Sequence, residues 1–144
     1  MIDTMHSPDV YVKDTGTVKG RGAFAQRDFA AGEIVEECPV IILLRPYEQL
    51  PLRLKTMVFN WGNLAKTSPC HALALGFGSM YNHDNPASLR YEADTENGAM
   101  RYIAARAIKE DEELTINYNA SSGGHESEED TWFQQHQIEV LSET

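Results

Sequence analysis

The chain of 144 residues has two cysteines, two tryptophans and no Lys or Arg beyond residue 109. Each scarcity excludes something. Cys38 and Cys70 are too few for a disulfide framework and lack the spacing of a zinc site. Cys38 lies in an apolar run and reads as core; Cys70-His71 is a lone pair without a partner cluster, so no metal is expected. No segment approaches the ~20 consecutive apolar residues of a membrane helix. The longest candidate, residues 39–44, fits a buried strand. Residues 1–9 carry Asp3 and His6 and lack the basic-then-apolar order of a secretion signal. The expected protein is soluble, without membrane contact.

The missing bases at the C-terminal end leave a lopsided charge. All 12 bases and 13 of the 22 acids fall in residues 1–110, so the remaining nine acids crowd the last 34 residues. An acidic end disfavours direct contact with nucleic acid and attracts cationic partners, while also serving as a solvated tail. An apolar fraction of 42% is ordinary for a globular chain, and this length can bury one core.

Short strands broken by turns dominate the pattern, which predicts a mainly β fold with short helices. Val10-Tyr11-Val12, Ala23-Phe24-Ala25, residues 34–44, 72–77, 88–93, 99–105 and 114–117 read as strands. Pro39 marks a break or an edge within the long one. Asn97-Gly98 is a hairpin signal joining the two strands around it. Pro46, Pro51 and Pro69 restrict the intervening insert to one or two helical turns around Pro51. Phe59-Asn60-Trp61-Gly62 reads as a dense aromatic segment followed by a turn. Residues 119–124 have the composition of a flexible linker. Beyond it, Ser127 and Asp130 form a candidate capping box for a helix with Trp132, His136 and Val140 on one face; a short strand over 138–141 is the alternative.

Three segments carry potential chemistry: Lys19-Gly20-Arg21-Gly22-Ala23-Phe24-Ala25, then Gly76-Phe77-Gly78-Ser79-Met80-Tyr81-Asn82-His83-Asp84-Asn85-Pro86, then Ile108-Lys109-Glu110-Asp111-Glu112-Glu113-Leu114-Thr115-Ile116-Asn117-Tyr118. Singly they could be a glycine turn, local asparagine turn bonds and a packed tyrosine. In this order and spacing they resemble the SET-domain lysine methyltransferases. The glycine turn is similar to that family's first cofactor segment, Asn82-His83…Asn85-Pro86 to its Asn-His-Ser…Pro-Asn motif, and the third segment to its closing Glu-Glu-Leu-Thr…Tyr motif. The likeness runs from about Tyr11 to Tyr118.

The resemblance implies a SET-domain fold over residues 1–118, with small curved sheets and a knot-like C-terminal threading, followed by an acidic segment over 119–144. It implies S-adenosylmethionine on one face, a substrate lysine entering from the other, and a narrow channel between. Main-chain groups around Lys19, Gly20, Arg21, Gly22 and Phe24, with Asn82 and His83, would hold the cofactor. Tyr118 would be the channel tyrosine beside the transferring methyl group, with Tyr91 or Tyr81 as the second. Trp132 and Phe133 are candidates for an aromatic channel wall, or for a tail helix packed elsewhere. Trp61 is a candidate for the substrate surface, or for the core. The expected activity is methylation of lysine in a basic, histone-like protein.

The chain departs from the family pattern at several positions. Asp84 follows Asn-His where serine is usual, Ala87 stands where the asparagine of Pro-Asn is usual, and Asn117 replaces a frequent aspartate. A second reading is therefore a non-catalytic SET-like module that binds basic partners. The zinc-free outline is similar to bacterial and viral members, which suggests a cytoplasmic address, or a nuclear one in a eukaryote. A homodimer is left open.

Overall fold

A computed structural model of the chain describes residues 4–120 and 123–127. The capping-box helix, with Trp132 and Phe133, lies outside the described residues. Among the described residues, eight strands form two four-stranded sheets with a few helical turns between them. The mainly β expectation holds.

The first sheet has the order β1-β2-β8-β5. β1 (Val10–Asp14) and β2 (Arg21–Ala25) pair antiparallel across the glycine turn. Gly20 has φ +74 there, which suits glycine because a Cβ would crowd the backbone. The Thr15 hydroxyl closes the turn on the Gly20 carbonyl at 2.7 Å. β8 (Glu113–Ile116) runs antiparallel to β2 and parallel to β5 (Asn82–His83). Two residues carry no strand period, so the sequence pattern shows no strand at Asn82-His83.

The second sheet has the order β4-β3-β7-β6 and is antiparallel throughout. Its long strand β3 (Ile34–Leu43) runs straight through Pro39. Proline is tolerated because the strand changes partner there: residues 34–39 pair with β7 (Ala99–Ala104), and residues 40–43 with β4 (His71–Ala74). The missing N–H falls at the hand-over, where the Pro39 carbonyl still accepts from Leu75. β6 (Leu89–Asp94) and β7 form the expected hairpin, with residues 95–98 as its loop and the Asp94 carboxylate holding Asn97.

Ser88 and Thr115 join the sheets: each backbone N–H donates to the other's hydroxyl, at 3.0 and 2.9 Å. The core between the sheets contains Cys38, Leu89, Met100, Tyr102, Leu114 and Ile116, all nearly inaccessible to solvent.

Two local expectations change. Phe59-Asn60-Trp61-Gly62 starts a short helix, α2 (Trp61–Ala65), following α1 (Leu52–Lys55). The Asn60 side chain accepts from the Asn63 N–H at 3.1 Å and so supplies the N-cap. Asn60→Ala is expected to lower unfolding stability by about 1 kcal/mol, read by urea denaturation; an unchanged midpoint would refute the cap.

The linker composition after Asn119 also has another use. Gly123 accepts from the Tyr91 N–H and donates to the Ala120 carbonyl, both at 2.8 Å. A Cβ on Gly123 would lie 1.8 Å from the Tyr91 carbonyl oxygen. Glycine permits this close approach, and the packed chain continues to Ser127, which exchanges hydrogen bonds with Asn85.

Candidate active site

Strand order brings the three chemistry-bearing segments together. β8 lies between β2 and β5, so the glycine turn, the Asn-His segment and the closing segment become neighbours although up to 100 residues separate them. Asn82 Nδ2 reaches from β5 to the Arg21 carbonyl at 3.1 Å and to Glu113 Oε2 at 2.8 Å. Lys19 Nζ donates to the His83 carbonyl at 3.0 Å. Gly22 is buried at this junction, facing the Asn82 and Glu113 side chains. Phe24 lies opposite Glu113 in the strand register; its ring stacks on Tyr11 at 5.7 Å, under the Lys13 ammonium.

Immediately after β8 the chain places Tyr118 against His83. The Tyr118 N–H donates to His83 Nδ1 at 3.1 Å, and the two rings lie 5.3 Å apart. The Tyr118 hydroxyl donates to the Tyr81 carbonyl at 2.6 Å. Burial of the hydroxyl pushes it well above the ordinary value of 10.0, aided by nearby Tyr91 and Glu113, so it remains a neutral donor at physiological pH.

Tyr118 and Tyr91 line a cavity of about 470 Å³, within the usual range for a ligand site. The Tyr91 hydroxyl donates to the carbonyls of Asn117 and Ala120, each at 3.1 Å, and burial raises its pKa as well. Tyr81 contributes differently. Its ring is buried beside Tyr102, and its hydroxyl donates to Glu36 at 2.5 Å. Its carbonyl, rather than its hydroxyl, meets Tyr118.

The cavity therefore gathers Tyr118, Tyr91 and the main chain of Tyr81. Lys19, Gly20, Arg21, Gly22, Asn82 and His83 cluster one to two strands away. Trp61 is corrected from the substrate surface to the core: it is 7% exposed and absent from the cavity wall. Helical period explains this, because Asn60, Asn63 and Leu64 turn one face to the cavity while Trp61 and Ala65 turn the other inward.

Several wall residues were not singled out from the sequence: Tyr47, Phe59, Asn60, Asn63 and His71. The signal for the first four was the density of aromatic and amide side chains between Pro46 and Pro69, and His71 had been noted only as the neighbour of Cys70.

Comparison with known proteins agrees with this arrangement. The SET-domain family profile matches residues 20–119. A Schizosaccharomyces pombe protein, a histone-lysine N-methyltransferase that is H3 lysine-37 specific, is 35% identical over 122 residues. That match spans 81% of this chain and 77% of the yeast protein. The crystal structure of a candidate histone methyltransferase from Plasmodium falciparum superposes with a TM-score of 0.64 at 24% identity, covering 81% of this chain and 97% of that one. A chain from a humanized mutant of Chaetomium thermophilum Polycomb Repressive Complex 2 matches with a TM-score of 0.60 at 18% identity, covering 81% of this chain but 15% of its own length. The matched span starts at the glycine turn and closes just past Tyr118, enclosing the three segments that β2, β5 and β8 draw together, and on these grounds the chain belongs to the SET-domain family.

Proposed function

We propose that this chain is an S-adenosylmethionine-dependent protein-lysine methyltransferase acting on a basic, histone-like segment. The observation that carries the reading is the Tyr118 hydroxyl, fixed on the Tyr81 carbonyl at the wall of a cavity sized for a side chain and a ligand. The S. pombe relative supports lysine methylation as the activity.

The residues around the glycine turn suit the cofactor's polar end. The Lys19 ammonium can face a carboxylate. The Asn82 amide has its nitrogen committed to Arg21 and Glu113, which leaves its oxygen to accept from an ammonium. When bound, S-adenosylmethionine supplies an electrophilic methyl group on a positively charged sulfur.

Everything else falls to the chain. A lysine enters as an ammonium with a pKa of about 10.4 and must be neutral to attack. A cavity walled by Tyr47, Phe59, Tyr91 and Tyr118 removes it from water and so favours the neutral amine. The Tyr118 hydroxyl donates its hydrogen bond to the Tyr81 carbonyl, which leaves its own lone pairs for neighbouring C–H or N–H groups. Alignment rather than a dedicated base is the main contribution.

Labelled-methyl transfer to a panel of histones and other basic proteins, with mass spectrometry of the product, tests the reading. Transfer to a lysine is expected. Cofactor binding without transfer to any protein in the panel would favour the binding-module reading.

Among the described residues, Glu48 is the one acidic side chain on the cavity wall, and no described Lys or Arg lines it. That charge can attract a cation flanking the target lysine. Glu48→Gln is expected to raise KM for a basic peptide by about two- to fivefold at unchanged kcat, the size of an exposed ion pair. The difference should shrink at high salt. An increase that persists in 1 M salt would rule out a charge effect.

A further inference from the structure

We propose that Glu36, in the opposite sheet, is a positioning residue for the methyl-transfer site, acting through Tyr81 on Tyr118. The proposal rests on the lysine methyltransferase reading above.

The starting observation is a carboxyl group in the core. Glu36 is 4% exposed, among the apolar residues between the sheets. A carboxyl group there is costly unless its oxygens are satisfied, and a hydrophobic side chain would ordinarily pack as well or better. Both oxygens are in use. Oε1 accepts from the Tyr81 hydroxyl at 2.5 Å, and Oε2 from the Phe77 N–H at 2.9 Å.

Two irregularities of the backbone accommodate this group. The register of β3 on β7 shifts between Ile34 and Glu36, where Val35 is the extra residue. Without the shift, alternation would send Val35 and Glu36 to opposite faces; with it, both are buried. The second irregularity is Gly76, with φ +69. A Cβ there would lie 2.5 Å from Glu36 Oε2. The turn therefore needs glycine twice, for its backbone and for the space the carboxyl group fills.

The bonds made by Glu36 fix both ends of residues 77–81. That segment reaches the site through its main chain: the Tyr81 carbonyl accepts the Tyr118 hydroxyl at 2.6 Å. One tyrosine thus has its hydroxyl anchored in the core and its carbonyl at the cavity. Releasing the hydroxyl frees the ring to shift beside Tyr102, 4.8 Å away, and the carbonyl shifts with it. Misplacement of a reacting geometry by about 1 Å can cost roughly 100-fold in rate.

The experiment compares Glu36→Leu, Glu36→Gln and Tyr81→Phe, each in the wild-type and Tyr118→Phe backgrounds. Glu36→Leu removes both anchors. Glu36→Gln keeps an acceptor for Phe77 and an amide donor for the Tyr81 oxygen. Tyr81→Phe cuts only one bond and covers the case in which Glu36→Leu fails to fold.

The expected result is a kcat loss of about 10- to 100-fold for Glu36→Leu and Tyr81→Phe. KM for the peptide and the calorimetric Kd for S-adenosylmethionine should stay near wild type, and Glu36→Gln should recover most of the rate. In the Tyr118→Phe background the same changes should cost less than threefold, because the group they position is gone. In a sample with ring-labelled tyrosine, the Tyr118 Cζ resonance should move in Tyr81→Phe.

Equal losses in both backgrounds, an unmoved Tyr118 resonance, or a rate loss matched by the loss of folded protein would overturn the proposal. Wild-type activity keeps this outcome distinct from failure of the methyltransferase reading itself.

Discussion

Tyr118→Phe is expected to lower kcat by about 100-fold in a protein that still folds. The hydroxyl is the only group removed. The ring keeps its contact with His83, and the backbone N–H keeps its bond to Nδ1. What disappears is the 2.6 Å bond to Tyr81 and, on the proposed mechanism, an oxygen beside the reacting atoms. Removing a preorganised polar group from such a site typically costs 100- to 1,000-fold, because water cannot replace it in time or in place. The lost bond also leaves the Tyr81 carbonyl without that partner, a penalty of about 1–3 kcal/mol if the group stays dry. The loss should fall on kcat rather than on KM, since the hydroxyl orients what is already bound. Single-turnover methylation of a peptide measures it. A variant within threefold of wild type would remove Tyr118 from the mechanism.

The hydroxyl's raised pKa sharpens the test. Burial holds Tyr118 neutral well beyond pH 10, so an alkaline limb in the wild-type rate profile below that pH belongs to another group. The profile of Tyr118→Phe should keep its shape and lose only height.

Much of this site was legible in the sequence because main-chain chemistry leaves local signatures. Glycines at 20 and 22, Asn82-His83 and the run into Tyr118 are contiguous strings, and their order was enough to assign the family. The strands flanking Asn97-Gly98 were equally plain, since alternation and turn residues act over short spans. Other features depend on what the chain meets after folding. β5 is two residues long and exists only because β8 offers it an edge. Pro39 sits inside a strand because two partners meet at that point, which no local rule records.

The same limit explains the side chains that were missed or misplaced. Trp61 could belong to the substrate surface or to the core until the Asn60 cap set the phase of α2 and turned it inward. Residues 119–124 looked flexible because Gly and Ser clusters usually are. Gly123 instead serves a close crossing over Tyr91. Glu36 gave no hint at all. A bulge decides which face it takes, and a bulge has no reliable mark in a Val-Glu-Glu string.

Gly22→Ala is expected to weaken S-adenosylmethionine binding by about 10- to 100-fold while leaving the fold intact. The added methyl would lie 2.6 Å from Glu113 Oε2, 2.9 Å from Thr15 Cγ2 and 3.1 Å from Asn82 Nδ2. Gly22 does not have a positive φ, so the backbone itself accepts alanine. The crowding must be relieved by small shifts of the Thr15 methyl and of the Glu113 carboxylate, the far end of a flexible side chain, whose retreat breaks the 2.8 Å bond to Asn82. A hydrogen bond to a charged group contributes about 1.5–3 kcal/mol, which corresponds to the stated range in affinity.

Gly20→Ala is the informative companion. Its Cβ meets nothing within 4 Å, but φ +74 makes the turn costly for alanine by roughly 1–2 kcal/mol. Gly20→Ala should therefore lower the thermal midpoint, and Gly22→Ala should chiefly lower affinity. Calorimetry with the cofactor beside a thermal scan separates the two. Wild-type affinity in Gly22→Ala would mean that the Asn82–Glu113 contact does not organise the cofactor's side of the site.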